Sequence, residues 1–154
     1  MKSNEKECMV CMSLKWKESS YEALSKSKGD KEAFAEAVLE CGRGGHVLRT
    51  VLEEDRPFFC SWVLEHYDMI IAGTLKISDV PRFGDKTPKS WVSKICHILN
   101  PWDYPIIYDT HIREQLGVTE RTWQSAMEKR RKSKNEASRM ELYEYDSRLW
   151  AGDL

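Results

Sequence analysis

The chain has 154 residues, of which 41% are hydrophobic and 32% are charged, and its formal net charge is −1 at pH 7. This length suits one domain, and the composition is that of a globular protein, which excludes a disordered chain. No apolar run approaches the ~20 residues that cross a bilayer, so we expect no membrane partner.

The first half of the sequence predicts helices separated by short breaks. A first helix is expected over residues 16–28. A second is expected over residues 31–41, where Asp30 is placed to cap it and apolar residues recur at helical spacing. The glycine-rich stretch 42–45 is predicted to be a turn. It lacks the preceding strand and the lysine of a phosphate-binding loop, so nucleotide binding is not expected there.

Two more helices are expected before the middle of the chain. Residues 47–52 predict a short helix, and residues 58–71 predict an apolar one that Pro57 starts and Gly73 ends. Residues 80–88 are predicted to form a loop. Strand-like alternation is weak throughout, so the prediction is an all-α fold in a single compact domain.

The helix expected over residues 89–99 is strongly two-sided. At about 100° per residue, its apolar side chains fall on one face and its polar side chains on the other. The pattern therefore predicts one buried face and one face that presents polar groups to the surroundings. These polar residues are Lys89, Ser90, Ser93, Lys94 and His97.

The segment after this helix carries clear stop and start signals. Asn100-Pro101 ends the helix because proline cannot continue it. An apolar connector, residues 102–108, is expected to pack on the core. Asp109 is placed to cap a helix through Leu116 that stops at Gly117.

Five cysteines and a polar amino terminus without a signal-peptide pattern predict free thiols in a cytoplasmic protein. Cys8 and Cys11 form a Cys-x-x-Cys pair that Cys41 and His46 could complete as a zinc site. Structural zinc sites usually show a second closely spaced pair, which is missing here. We therefore expect no metal and no other cofactor.

Two strings in the second half resemble a known pattern. The strings are Ser93-Lys94-Ile95-Cys96-His97-Ile98-Leu99-Asn100-Pro101, continued by Tyr104-Pro105-Ile106 and Tyr108-Asp109, and the closing Asp146-Ser147-Arg148-Leu149-Trp150-Ala151-Gly152. They resemble small prokaryotic proteins of the 8-oxoguanine DNA glycosylase-like branch of the helix-hairpin-helix DNA glycosylases. The resemblance covers about residues 80–154, while residues 1–79 carry no recognised motif.

This resemblance implies a protein that excises a damaged or modified base from DNA, with or without Schiff-base lyase chemistry. It implies Asp109 as the catalytic carboxylate. The nucleophile is Lys94, which matches the small-family string, or Lys89, which lies nearer the helix start as in larger relatives. Where the superfamily has a Gly-hydrophobic-Gly hairpin, this chain has Phe83-Gly84-Asp85.

DNA is the expected partner, bound by a monomer. A basic strip, residues 121–134, holds six cations against one acid, Glu128, and suits an anionic polymer. A base flipped from the duplex would stack on aromatic side chains, for which Trp102, Tyr104 and Tyr108 are the candidates. The candidate DNA contacts are Ser90, Ser93, His97, His111, Arg121, Lys129, Arg130 and Arg131.

Two alternatives stay open. In the first, Thr119 caps the recognition helix of a helix-turn-helix, with Arg121, Gln124, Lys129 and Arg130 facing DNA in a non-catalytic regulator. Such a regulator should dimerise on a palindromic site. In the second, the glycosylase-like fold has lost its chemistry, and the protein is an interaction or phage-defence factor.

Overall fold

Eight α-helices account for most of the chain that the structure, a computed structural model, describes, which is residues 3–154. They are α1 (Ser3–Ser27), α2 (Lys31–Gly44), α3 (Arg56–Glu65), α4 (Tyr67–Ala72), α5 (Lys89–Leu99), α6 (Thr110–Leu116), α7 (Glu120–Glu128) and α8 (Arg139–Ala151). Short 3₁₀ turns lie at Leu48–Thr50, Glu53–Asp55 and Ile77–Asp79. Within residues 3–154 the only β pairing is an isolated bridge between Phe83 and Lys86, so the all-α prediction is confirmed.

Helix α5 is the centre of the fold. It contacts α1, α2 and α4, and every residue from Trp91 to Leu99 is buried. Trp91, Ile95 and Ile98 are completely inaccessible. The hydrophobic core is therefore built around one helix whose limits the sequence pattern predicts correctly.

The polar face of α5 is not exposed, which corrects the expectation for this helix. The Ser93 hydroxyl accepts a hydrogen bond from the Tyr108 backbone N–H (2.8 Å) and donates to the Ser90 carbonyl (2.9 Å). The His97 imidazole is bonded through Nδ1 to the Tyr104 carbonyl at 2.7 Å. The connector after α5 folds back over this face, so polar partners from the protein replace water.

Helix α1 begins at Ser3 and not near residue 16 as predicted. Its first half pairs with α8 through polar contacts. The Lys6 ammonium donates to the Gly152 carbonyl (2.8 Å), and the Ser13 and Ser147 hydroxyls are 2.8 Å apart. These partners lie more than a hundred residues away along the chain, so the local sequence could not predict the contacts that stabilise this part of the helix.

Helix α2 runs through Gly42 and Gly44, which were predicted to lie in a turn, and the turn begins at Gly45. The Asp30 cap is confirmed, because its carboxylate accepts from the backbone N–H groups of the first turn. A Cβ on Gly42 would lie 2.6 Å from Trp91 Cε2, and one on Gly44 would lie 2.5 Å from Trp16 Cδ1. These glycines serve close approach of two tryptophans and not chain reversal.

The predicted helix over residues 58–71 is broken into α3 and α4 at His66, whose backbone leaves the helical region (φ −102°, ψ 9°). The His66 Nδ1 atom lies 2.7 Å from the Trp62 carbonyl and shares it with the His66 backbone N–H. Pro57 in the first turn and Gly73 at the end (φ 75°) are as predicted.

The second half follows its local signals closely. The Asp109 carboxylate accepts from the His111 backbone N–H (2.8 Å) and caps α6, which ends at Gly117 in the left-handed conformation (φ 65°). The Asn100 side-chain amide donates to the carbonyls of Ile70 and Ile71, both at 3.0 Å, and so ties the end of α5 to α4. None of the helices in residues 3–154 combines the length and apolar character needed to cross a membrane.

Candidate active site

A cavity of about 510 Å³ opens between α1, the end of α2, α5, α6 and α8. This volume lies within the range of roughly 300–1,000 Å³ that is common for ligand sites. Its apolar wall and its polar groups come from different elements. The wall includes Met9, Met12, Trp16, Ile112 and Trp150, and the polar groups include His46, Lys94, Asp109, His111 and Asp146.

Lys94 and Asp109 meet at the wall of this cavity. The Lys94 Nζ atom lies 4.0 Å from Asp109 Oδ2, and the two side chains are 9% and 18% exposed. Asp109 Oδ1 caps α6, which leaves Oδ2 toward the lysine. The Lys94 ammonium also lies 5.5 Å from the centroid of the Trp16 ring. The arrangement places an amine, a carboxylate and an aromatic face around one opening.

Lys89 lies elsewhere. It begins α5, is half-buried, and is absent from the cavity wall. Its charge instead lowers the pKa of Glu120 on α7, after the larger effect of the hydrogen bond from Tyr108. Of the two candidate lysines, the structure brings only Lys94 to Asp109.

A buried ion pair lies at the inner wall of the cavity, where Asp146 lines it. The Lys17 ammonium contacts Asp146 Oδ2 at 2.7 Å and donates to the Tyr143 carbonyl at 3.0 Å. Asp146 Oδ1 accepts from the Ile107 backbone N–H at 2.8 Å. Burial alone would raise the pKa of Asp146, but the charge and hydrogen bond of Lys17 hold it below its usual value. Asp146 is therefore ionised and fully partnered.

Lys17 is not among the site residues that the sequence predicts. It lies in the half of the chain without a recognised motif, and lysines on helices are usually solvated. The one available signal is its register, because Lys17 lies seven residues from both Val10 and Leu24, which are buried on the same side of α1. A lysine in an apolar stripe indicates a buried charge with a partner.

His97 faces the same ion pair. Its Nδ1 donates to the Tyr104 carbonyl, so Nε2 carries the lone pair and points toward Asp146 Oδ2, 3.8 Å away. Burial, followed by the nearby charge of Lys17, lowers the pKa of His97 to about 3. His97 is thus a neutral core residue and has no surface with which to contact DNA.

Two more residues that were predicted to contact DNA are buried or half-buried. Ser93 is buried with both hydrogen-bonding functions of its hydroxyl used, and Ser90 is half-buried at the start of α5. His111 differs, because it is exposed and lines the cavity, with its ring 6.5 Å from that of Trp150.

The three aromatic residues predicted to stack on a base do not line the cavity. The Tyr104 hydroxyl donates to the Leu75 carbonyl (2.8 Å) in the core, and Tyr108 packs edge-on against Trp123. Trp102 is half-buried and donates from Nε1 to the Ala137 carbonyl (2.8 Å). The aromatic side chains at the cavity are Trp16 and Trp150.

The basic strip is partly engaged in holding the fold. Arg130 donates to the Tyr145 hydroxyl (3.1 Å) and the Ala126 carbonyl (2.9 Å). Arg131 donates to the backbone carbonyls of Asp103 (3.0 Å) and Gly73 (3.3 Å). These two guanidinium groups therefore have structural partners.

Helix α7 also departs from the predicted recognition helix. It starts after Thr119 as expected but ends at Glu128, before Lys129 and Arg130. Arg121 and Lys129 are exposed, yet Glu120 and Glu128 are exposed beside them. Within α7 the charged residues are two acids and one base, whereas a DNA-reading helix is expected to be basic.

Residues 3–154 contain no cluster of three His, Cys, Asp or Glu side chains suited to a metal ion. Cys8 and Cys11 are exposed on α1, and Cys41 is buried, where desolvation raises the pKa of its thiol to about 12. No protein-family model, curated protein or solved structure matches this chain.

Proposed function

We propose that this protein is a DNA glycosylase that excises a damaged or modified base, with Lys94 as nucleophile and Asp109 as the catalytic carboxylate. One observation carries the proposal. The two residues, suggested by sequence as candidates, come from separate elements and lie 4.0 Å apart at the wall of an aromatic-lined cavity.

The chemistry follows from these two groups. Lys94 first transfers a proton to Asp109 Oδ2, and the free amine then attacks C1′ of the target nucleotide. The C1′–N bond breaks, and its electron pair leaves with the base, which takes up the proton held by Asp109. Asp109 Oδ2 is placed to accept the proton released by the amine and to stabilise positive charge that develops on the sugar. The C1′–O4′ bond then breaks, O4′ takes up the proton that Asp109 accepted from the amine after the attack, and the product is an iminium, the protonated Schiff base, on Lys94.

The cavity supplies a place for a flipped base. Trp16 and Trp150 both line it, and aromatic faces commonly hold flipped bases by stacking. The Trp16 ring is held in place by a hydrogen bond from its Nε1 to the Cys41 carbonyl at 3.1 Å. A preset ring lowers the entropy cost of ordering the base.

Borohydride trapping tests this proposal because reduction fixes only a Schiff base. Duplexes carrying an abasic site, 8-oxoguanine, uracil or modified cytosines would be incubated with wild-type protein, Lys94→Ala and Lys89→Ala. We expect a covalent adduct with the wild type and with Lys89→Ala, a matched control on the same helix, and none with Lys94→Ala.

Asp109→Asn separates charge from structure at this site. Asparagine is as good a helix cap as aspartate, so α6 should persist while the carboxylate charge is lost. We expect base release to fall by about 100-fold or more with little change in melting temperature.

Three results would count against the proposal. An adduct that survives in Lys94→Ala and disappears in Lys89→Ala would move the chemistry to the other lysine. Salt-dependent DNA binding without adduct or base release would favour the non-catalytic DNA-binding alternative. Absence of DNA binding would exclude both.

A further inference from the structure

His46 has an unusual backbone for its residue type. With φ at +58°, it is the one non-glycine residue of the described chain in the left-handed region. It follows the end of α2 and lines the mouth of the cavity. L-residues adopt this conformation at an energetic cost that glycine does not incur.

The local structure shows why the cost arises at this position. The backbone N–H of Val47 donates to the Gly42 carbonyl (2.9 Å), and that of His46 donates to the Arg43 carbonyl (3.2 Å). These are the two hydrogen bonds of a Schellman motif, whose left-handed residue is usually glycine. Here the glycines are Gly44 and Gly45, just before it, and a histidine occupies the strained position.

Among the residues that the structure describes, the His46 side chain forms no polar contact that would offset the cost of this backbone conformation. It is exposed, and within residues 3–154 its imidazole forms no hydrogen bond or ion pair. The turn that carries it lies against the candidate nucleophile, because a Cβ on Gly45 would be 3.1 Å from Lys94 Cδ. The backbone next to His46 therefore packs against the stem of Lys94, and the His46 imidazole and Lys94 line the same cavity.

We propose that His46 is the general base of the strand-cleavage step, an inference that rests on the proposed glycosylase function. After the Schiff base forms on Lys94, the His46 imidazole removes a proton from C2′ of the sugar. The C2′–H electron pair moves into the iminium to give an enamine. The enamine then expels the 3′-phosphate by breaking the C3′–O bond, and leaves an unsaturated imine on Lys94.

His111 is the other exposed imidazole at the cavity, and it differs in one respect. It lies within helix α6, where its backbone conformation carries no penalty. Residues held in sparsely populated conformations cluster at functional sites, where the surrounding structure maintains them. His46 meets this description and His111 does not.

The experiment uses the full chain and a duplex with a preformed abasic site, which separates imine formation from elimination. Strand cleavage and borohydride-trapped adduct would be measured for the wild type, Lys94→Ala, His46→Asn and His46→Gly. Asparagine tolerates the left-handed conformation, and glycine relieves it. Arg43→Ala, an exposed cation at the same helix end that does not line the cavity, is the matched control.

We expect His46→Asn and His46→Gly to cleave about 100-fold more slowly while they retain the trapped adduct. Arg43→Ala should cleave at the wild-type rate, and Lys94→Ala should lose both adduct and cleavage. His46→Gly should also melt about 2–4 °C higher than the wild type, because the strain is relieved. That shift does not depend on any activity.

Two outcomes would overturn the assignment in different ways. If the wild type forms an adduct and His46→Asn cleaves as fast as the wild type, the base is another group, and loss of cleavage in His111→Asn would identify it. If the wild type forms no adduct, the proposed function itself fails and the role of His46 fails with it.

Discussion

Acidification from pH 7.5 to pH 5.0 is expected to destabilise the fold through His97. The imidazole is completely buried, and its pKa is lowered to about 3, first by burial and then by the charge of Lys17. Asp146, 3.8 Å away, acts in the opposite direction but does not compensate. The folded protein therefore keeps His97 neutral across this pH range.

Proton linkage determines the sign and size of this change in stability. Below the ordinary histidine pKa of 6.5, His97 binds a proton in the unfolded chain but not in the folded protein. The unfolded state then binds more protons, so the free energy of unfolding falls as pH falls through 6.5, and continues to fall until pH nears 3. Between pH 7.5 and pH 5.0 this one group should remove about 2 kcal/mol.

Urea unfolding at the two pH values, followed by tryptophan fluorescence, measures this loss. His97→Asn is the control, since its amide can donate to the Tyr104 carbonyl in place of Nδ1 but does not titrate. We expect this variant to be less stable at pH 7.5 because it leaves a cavity, but to lose about 2 kcal/mol less on acidification. Equal losses for the wild type and His97→Asn would refute the reasoning.

Two further perturbations test the packing around the site. Lys17→Met leaves the buried Asp146 carboxylate unpaired and should lower the free energy of unfolding by about 3–5 kcal/mol, measured in urea. Adding Asp146→Asn should recover part of this loss, and a larger loss in the double variant would contradict the ion-pair argument. Gly42→Ala drives a methyl group against the buried Trp91 ring and should cost about 1–3 kcal/mol in thermal unfolding. Gly29→Ala meets nothing within 4 Å and should change stability by less than about 0.5 kcal/mol, so equal effects at the two glycines would exclude the steric explanation.

The parts of the fold that the sequence predicted well depend on local signals. The limits of α5, its stop at Asn100-Pro101, the Asp109 cap and the Gly117 end of α6 all follow from caps, proline and glycine acting within a turn or two. Long-range contacts decided the elements that were mispredicted. The first half of α1 depends on α8, and the helical glycine at position 42 depends on Trp91.

For the candidate site, the sequence by itself determined the chemical types available: a lysine on α5, an aspartate that caps α6, and no metal-ligand spacing of the usual kind. It left Lys89 and Lys94 as equals. Only the tertiary structure placed Lys94 against Asp109, because the distance between them depends on how α6 is set against α5.

Burial was also decided by the tertiary structure. The 3.6-residue period of α5 separates polar from apolar side chains, but whether Ser93 and His97 meet water or protein depends on the segments that cover them. Lys17 illustrates the same limit, since its partner Asp146 lies 129 residues away. A helical period describes one element at a time, whereas exposure and charge pairing are properties of elements packed together.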